Sequence, residues 1–289
     1  MTTTETPEET RSFRRYFRGR RLNDGKAVYW WREVIIVAVL NMVYETVRNL
    51  SSGKPSKAYE NALKIIDWQK AMGLWHEFSM QQWALGYTPL IILANYFYGS
   101  IYIIATLAGL FFLYRRFTDD YPFFRNMLAA GTMLGLIGFA TFPLMPPRLL
   151  DNTSMLQGVD MRQFFGFVDT LAKYPTFWSF DSEAMKTISN QFAAMPSLHC
   201  GWAFWGFVVF WTRVKTVWGK ALVALYPIAT VYVVVITGNH YFLDAVGGLI
   251  IFAAGYGIAR LITRAGNRNP SIFRGKGDDT PTISVPAPQ

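Results

Sequence analysis

Two of the three histidines in this 289-residue chain stand at the mouths of hydrophobic runs. In A193-A-M-P-S-L-H-C-G-W202, His199 follows Pro196 by three residues, just as an apolar segment begins. In G238-N-H-Y-F-L-D-A-V-G-G248, His240 precedes Asp244 by four residues. That spacing puts ring and carboxylate on one helical face, within reach of each other. A cation, Arg148, emerges where another apolar segment closes, in F142-P-L-M-P-P-R-L-L150. Two chemistries fit two imidazoles, a carboxylate and a guanidinium. A metal site would use His240 and Asp244 from one helical face, with His199 as third ligand. Phosphoryl transfer without a metal would use Arg148 to grip phosphate oxygens bidentately. Asp244 would hold one nitrogen of His240 as N–H, leaving the other as nucleophile. His199 would protonate the departing oxygen, and the Ser197 hydroxyl and the amides at the helix start would add donors. The second reading employs every polar group and needs neither metal nor cofactor, and it is the preferred one.

The elements that must position these groups are written in the composition. The chain is 52% hydrophobic, 17% aromatic and only 16% charged, against about 25% charged in ordinary soluble domains. Apolar runs of about twenty residues recur, long enough to cross a bilayer core. Spans are expected at 28–47, 88–113, 123–145, 197–216, 218–237 and 241–262. The polar stretch before the first is too long and too charged for a cleaved signal, so a retained anchor is expected. On this six-span reading, most of the 28 Lys and Arg gather on the side holding both termini and the turns at 114–122 and 213–220. The positive-inside rule makes that side cytoplasmic. The net charge of +9 is therefore a topology signal with some attraction to anionic lipid headgroups, and nucleic-acid binding loses its support. His199, the His240–Asp244 pair and Arg148 then share one depth at the extracytoplasmic ends of their spans.

Other features read as structural. Ile65, Trp68, Met72, Trp75 and Phe78, interleaved with Lys64, Asp67, Lys70 and Glu77, suit an amphipathic helix in the membrane interface over 57–86. His76 falls within it as an interfacial residue. Gly131 and Gly135, and likewise Gly247 and Gly248, have the small residues that let helices approach closely. Cys200 rules out an internal disulfide and suits a small packing residue. The long outer loop 146–195 carries Phe164, Phe165, Phe167, Trp178 and Phe180, either as a lid over a lipid tail or as interfacial anchors.

M195-P-S-L-H199 followed by N239-H-Y-F-L-D244 resembles the second and third signature motifs of the type 2 phosphatidic acid phosphatase superfamily. It resembles most the inositol phosphorylceramide synthase branch, where Leu replaces the usual Gly of P-S-G-H. The resemblance covers roughly residues 85–262. It implies His240 as the nucleophile that forms a phosphohistidine, Asp244 as its partner, His199 as the leaving-group acid and Arg148 as a phosphate ligand. Two family cations are missing: Thr141 and Val234 stand where a lysine and an arginine are usual. Lys186, Arg162 and Asn239 are the candidates to supply phosphate contacts instead.

The expected protein is thus an all-α, polytopic membrane enzyme: a six-helix transmembrane bundle with an interfacial helix and a long outer loop. Residues 1–27 form a disordered basic cytoplasmic N-terminus, 28–56 the first anchor and 57–86 the interfacial segment. Residues 87–262 form the phosphatase or phosphotransferase-like membrane domain, and 263–289 a disordered cytoplasmic tail. The substrate is expected to be a lipid phosphate or lipid pyrophosphate at the outer leaflet of the cell membrane. The acceptor is water or a lipid or sugar hydroxyl. The alternative is a non-enzymatic transporter using the His/Asp cluster for proton coupling, which calls for polar residues deep in several spans. The centres here, V34-I-I-V-A-V-L40 and V231-Y-V-V-V-I236, are apolar.

Overall fold

The computed structural model describes residues 19–50, 54–153, 156, 163–174, 176 and 191–268. Apart from a hairpin of two-residue strands, β1 (Arg20–Arg21) and β2 (Ala27–Val28), these residues form helices and their connections. In order they are α1 (Trp30–Leu50), α2 (Pro55–Ala71), α3 (Glu77–Leu85), α4 (Thr88–Arg116), α5 (Tyr121–Thr141), a 3₁₀ turn at Pro147–Leu149, α6 (Thr170–Lys173), α7 (Leu198–Trp211), α8 (Val217–Ile236) and α9 (Phe242–Arg268). Prolines open α2, α4 and α5 within their first two positions, where the missing amide has no helical partner to lose. Ser197 and Thr216 cap α7 and α8 with their side-chain oxygens, satisfying amides that the helix leaves orphaned.

Four helices are long and apolar enough to cross a membrane: α4, α5, α8 and the Phe242–Gly266 part of α9. The chain is membrane-embedded. α7 is apolar but has only 14 residues, about 21 Å at the helical rise, short of the ~30 Å hydrocarbon core. α5 stops at Thr141 rather than 145 because Pro143, Pro146 and Pro147 cannot continue a helix. Leu93, Ile104 and Phe111 of α4, Leu222 and Ile228 of α8, and Ile250 and Leu261 of α9 are exposed, an apolar surface suited to lipid.

Within the bundle, α9 packs most extensively on α5 and then on α7, while α4 and α8 flank α7. Glycines set the tightest approaches. A Cβ on Gly255 would lie 2.8 Å from the Gly131 amide nitrogen, one on Gly131 2.9 Å from the Phe252 ring, and one on Gly135 2.5 Å from Leu198. On Gly248 it would lie 2.2 Å from the Ser197 carbonyl oxygen. The small residues singled out in the sequence are thus the contact points of α5, α7 and α9.

The amphipathic segment differs from expectation. It is two helices, broken at Met72–His76 where Gly73 turns with φ +68°. The α2 face bearing Ala58, Tyr59, Ala62, Ile65, Ile66 and Gln69 is buried, whereas Trp68 and Met72 are exposed. Glu77, expected on the polar face, is completely buried. The buried face joins Leu144, Met145, Leu149, Leu150, Phe167 and Tyr241 in one apolar cluster. The segment is therefore a roof over the motif-bearing end of the bundle.

At the opposite end, the hairpin clasps the α4–α5 turn. Arg20 Nη1 donates to the carbonyls of Tyr114 and Arg115 at 3.1 and 2.6 Å, and Asn23 donates to the Asp119 carboxylate. Arg213, just after α7, pairs with Asp120, and Arg125 of α5 pairs with Glu33 of α1 at 2.7 Å. These basic turns share one end of the molecule.

Candidate active site

The two histidines meet at the roofed end. Their ring centroids are 5.6 Å apart at 59°. His199 occupies the first turn of α7 and His240 the connection before α9. That connection is shaped by main-chain bonds: the Asn239 and His240 amides both donate to the Val234 carbonyl, at 3.0 and 3.1 Å. Gly238 adopts φ +70°, and a Cβ there would lie 2.7 Å from Gln81 Nε2 and 3.2 Å from Arg148 Cβ. Only glycine fits both the backbone and the space.

His240 Nδ1 lies 2.8 Å from the Ala194 carbonyl oxygen and 3.3 Å from Asp244 Oδ2. A carbonyl can only accept, so Nδ1 carries the proton and Nε2 holds the free lone pair. The ring is held principally by Ala194, with Asp244 the longer partner. Asp244 Oδ2 also accepts from the Tyr241 amide at 2.9 Å, while its Oδ1 has no hydrogen-bond partner among the described residues. His199 stacks on Tyr98 at 4.3 Å and 22° and meets Tyr102 edge-on at 4.4 Å.

α7 and α9 are joined by their backbones. The Ser197 amide donates to the Asp244 carbonyl at 2.9 Å, across the gap that Gly248 leaves open. Ser197, expected to contact phosphate, is fully buried, and its Oγ accepts from the Cys200 amide as the cap of α7. Cys200 is buried.

Arg148 reaches the same place from the 3₁₀ turn. Its amide donates to the Gly238 carbonyl at 2.8 Å, its Nε to Asn239 Oδ1 at 3.0 Å and its Nη1 to Asp169 Oδ2 at 2.6 Å. Asn239 Nδ2 donates to Thr237 Oγ1 at 2.8 Å. Asn239 is therefore engaged in orienting the arginine.

Asp169 carries no signal in the sequence beyond that of a helix cap. Its Oδ1 accepts from the Leu171 and Ala172 amides. It sits in a strap, 163–174, fastened at several points. Asp151 accepts the Phe165, Gly166 and Phe167 amides. Gln81 exchanges two bonds with Val168, and Asn95 donates to the Thr170 and Tyr174 carbonyls. Phe167 is buried between Trp75 and Phe78 at 5.9 and 5.7 Å, Phe165 is half-buried, and Phe164 is exposed. Trp178, Phe180, Arg162 and Lys186 lie outside the described residues. Thr141 is exposed and bonded to the Ile137 carbonyl, and Val234 is buried against Cys200 and Val235, so neither position brings a cation to the site. His76 stands exposed at the head of α3. Among the described residues no three His, Cys, Asp or Glu side chains form a group able to hold a metal.

Chemically, the site offers a nucleophilic imidazole nitrogen, a second imidazole beside it and a rigidly held guanidinium. A family model described as the PAP2 superfamily matches residues 63–258. No curated protein and no solved structure matches the chain.

Proposed function

The chain belongs to the PAP2 superfamily, and from that premise we propose that it is an integral-membrane phosphotransferase acting on a lipid-linked phosphate through a phosphohistidine. The superfamily acts on lipid phosphates, and the apolar helices place the chain in the membrane. The observation that carries the finer reading is the histidine pair: rings 5.6 Å apart, with His240 Nδ1 committed to a carbonyl.

In the first half-reaction the Nε2 lone pair of His240 forms a P–N bond as the P–O bond to the leaving group breaks. The departing oxygen takes a proton from His199 in its protonated form. In the second half-reaction the acceptor hydroxyl returns a proton to His199 as its oxygen attacks phosphorus and the P–N bond breaks. Arg148, with its orientation set by Asn239 and Asp169, grips phosphate oxygens as charge builds on them. Asp244 stabilises the ring as it becomes cationic. No step passes through a metal or cofactor. The roof of α2, α3 and the strap leaves His240 only 4% exposed. That shelter supports a lipid or sugar hydroxyl as acceptor, as in the inositolphosphotransferase-like branch, because a transferase must keep water from the intermediate; water in that place makes the same chemistry a phosphatase. The basic end, with both termini, is cytoplasmic by the positive-inside rule. In this reading α1 is a fifth crossing and α7, lengthened by the residues that flank it, the sixth, and the site faces the outer leaflet.

The test uses purified protein in detergent micelles with phosphatidate, phosphatidylinositol or a polyprenyl pyrophosphate, each labelled on phosphorus, and EDTA present. Expected are headgroup transfer or phosphate release, an acid-labile, alkali-stable protein-bound label, and loss of both in His240→Ala. Activity abolished by EDTA, or retained in His240→Ala, defeats this reading.

A further inference from the structure

The start of α9 carries Asp244 and immediately follows His240, yet much of what fixes it comes from the roof. The amide of Tyr241, just before the helix, and the first two amides of the helix are each claimed by a side chain. Tyr241 N–H goes to Asp244 Oδ2 of the first turn. Phe242 N–H donates to Glu77 Oε1 at 3.0 Å, and Leu243 N–H donates to Gln69 Oε1 at 3.0 Å. These two partners lie 165 and 174 residues away in sequence and are themselves joined, Gln69 Nε2 to Glu77 Oε1 at 2.5 Å. Glu77 Oε2 takes a further amide, that of His76, at 3.1 Å. All of the Glu77 contacts are N–H donors, which is the environment of a carboxylate, placed where a helix N-terminus favours negative charge. Both Gln69 and Glu77 have no exposed surface.

Resting on the phosphohistidine reading, the geometry points to Gln69 and Glu77 as positioning residues for the reaction: a cap supplied by α2 and α3 that sets where α9 begins, and so where the His240 ring lies against phosphorus. They act through the main chain of Phe242 and Leu243 and touch no reacting atom. A surface roof would have no need of such a pair. Burying the carboxyl raises the Glu77 pKa, because desolvation outweighs its hydrogen bonds. The charge thus works against stability, so an apolar or neutral replacement need not unfold the protein even where it misplaces the catalytic helix.

Three variants separate positioning from scaffolding: Glu77→Leu, Gln69→Met and the conservative Glu77→Gln. Glu77→Leu removes the acceptor of the Phe242 amide and Gln69→Met that of the Leu243 amide, whereas in Glu77→Gln the side-chain oxygen still accepts from Phe242 and Gln69, and only the His76 amide, which is not part of α9, meets a nitrogen. Glu77→Leu and Gln69→Met are each expected to lower kcat about 10- to 100-fold, the effect of a sub-ångström to 1 Å displacement of a reacting group. KM is expected to stay within about twofold and the melting temperature within about 10 °C. Glu77→Gln is expected to recover at least half of the kcat lost in Glu77→Leu on a logarithmic scale. Gln69→Met provides the measurement should Glu77→Leu not fold. Unchanged kcat in Glu77→Leu and Gln69→Met, or Glu77→Gln no faster than Glu77→Leu, overturns the positioning role while leaving the histidine chemistry standing. A wild-type protein that neither turns over any of the three lipids nor acquires the histidine label removes the chemistry, and this proposal with it.

Discussion

A carbonyl oxygen cannot donate, and this simple fact decides the protonation of His240. Because Ala194 holds Nδ1–H at 2.8 Å, the tautomer survives loss of the Asp244 charge. Asp244→Asn should therefore keep fold and lipid binding while lowering kcat roughly 100- to 1,000-fold, through lost stabilisation of the cationic ring. Steady-state kinetics with a thermal melt checks this, and near wild-type turnover removes Asp244 from the mechanism. Arg148 depends on its fork, with Nε on Asn239 and Nη1 on Asp169. Lysine cannot make both bonds. Arg148→Lys is expected to lose about 10- to 100-fold in kcat/KM, the worth of a charge-assisted hydrogen bond or two. A change under twofold would show that a point charge suffices. The histidines, Asp244 and Arg148 were legible because their types are rare in apolar surroundings and their spacing is local. Ala194 acts through its main chain, which carries no side-chain signal. Asp169 lies 21 residues beyond Arg148, across a loop whose path the sequence does not reveal.

Helices α5, α7 and α9 owe their separation to glycine. Gly248→Ala would push a methyl to 2.2 Å from the Ser197 carbonyl, with backbone on both sides, whereas a Cβ at Gly257 meets nothing within 4 Å. The first substitution is expected to cost about 1–3 kcal/mol and to abolish turnover by parting the two histidine-bearing elements. Gly257→Ala, on the same helix, should leave both stability and activity unchanged. Equal melting temperatures for the two variants would contradict the packing described. The spacing of these glycines gave the close approach but not which helices meet. For α2 and α3 the apolar periodicity by itself describes one continuous helix. Within α2 the buried stripe runs through Ala58, Ala62, Ile65, Ile66 and Gln69, which leaves Trp68 and Met72 outward; the turn at Gly73 then resets the helical phase, and Glu77 goes inward. A buried carboxylate in a charged segment cannot be told from a solvated one until its partners, here the amides of α9, are known.

Across the whole molecule, chemistry and charge occupy opposite ends. The hairpin at Arg20, the α4–α5 turn and Arg213 are tied together at one end, and the motifs lie under the roof at the other. On the topology proposed, which puts the basic end in the cytoplasm, Phe164→Cys, at a position 82% exposed, should react with an impermeant thiol reagent on intact cells. Lys215→Cys, exposed in the α7–α8 turn, should react only after lysis. The reverse pattern inverts the topology. The buried Cys200 gives little background.

The hydrogen bond from the Ser197 amide to the Asp244 carbonyl is a contact of main chain with main chain, with no flexible side chain between to absorb a displacement. The elements bearing His199 and His240 are consequently carried on one rigid frame. A lipid entering or leaving has to part the surrounding walls, the strap or the helix bearing Tyr98 and Tyr102, and the spacing of the two imidazoles stays constant through the whole cycle.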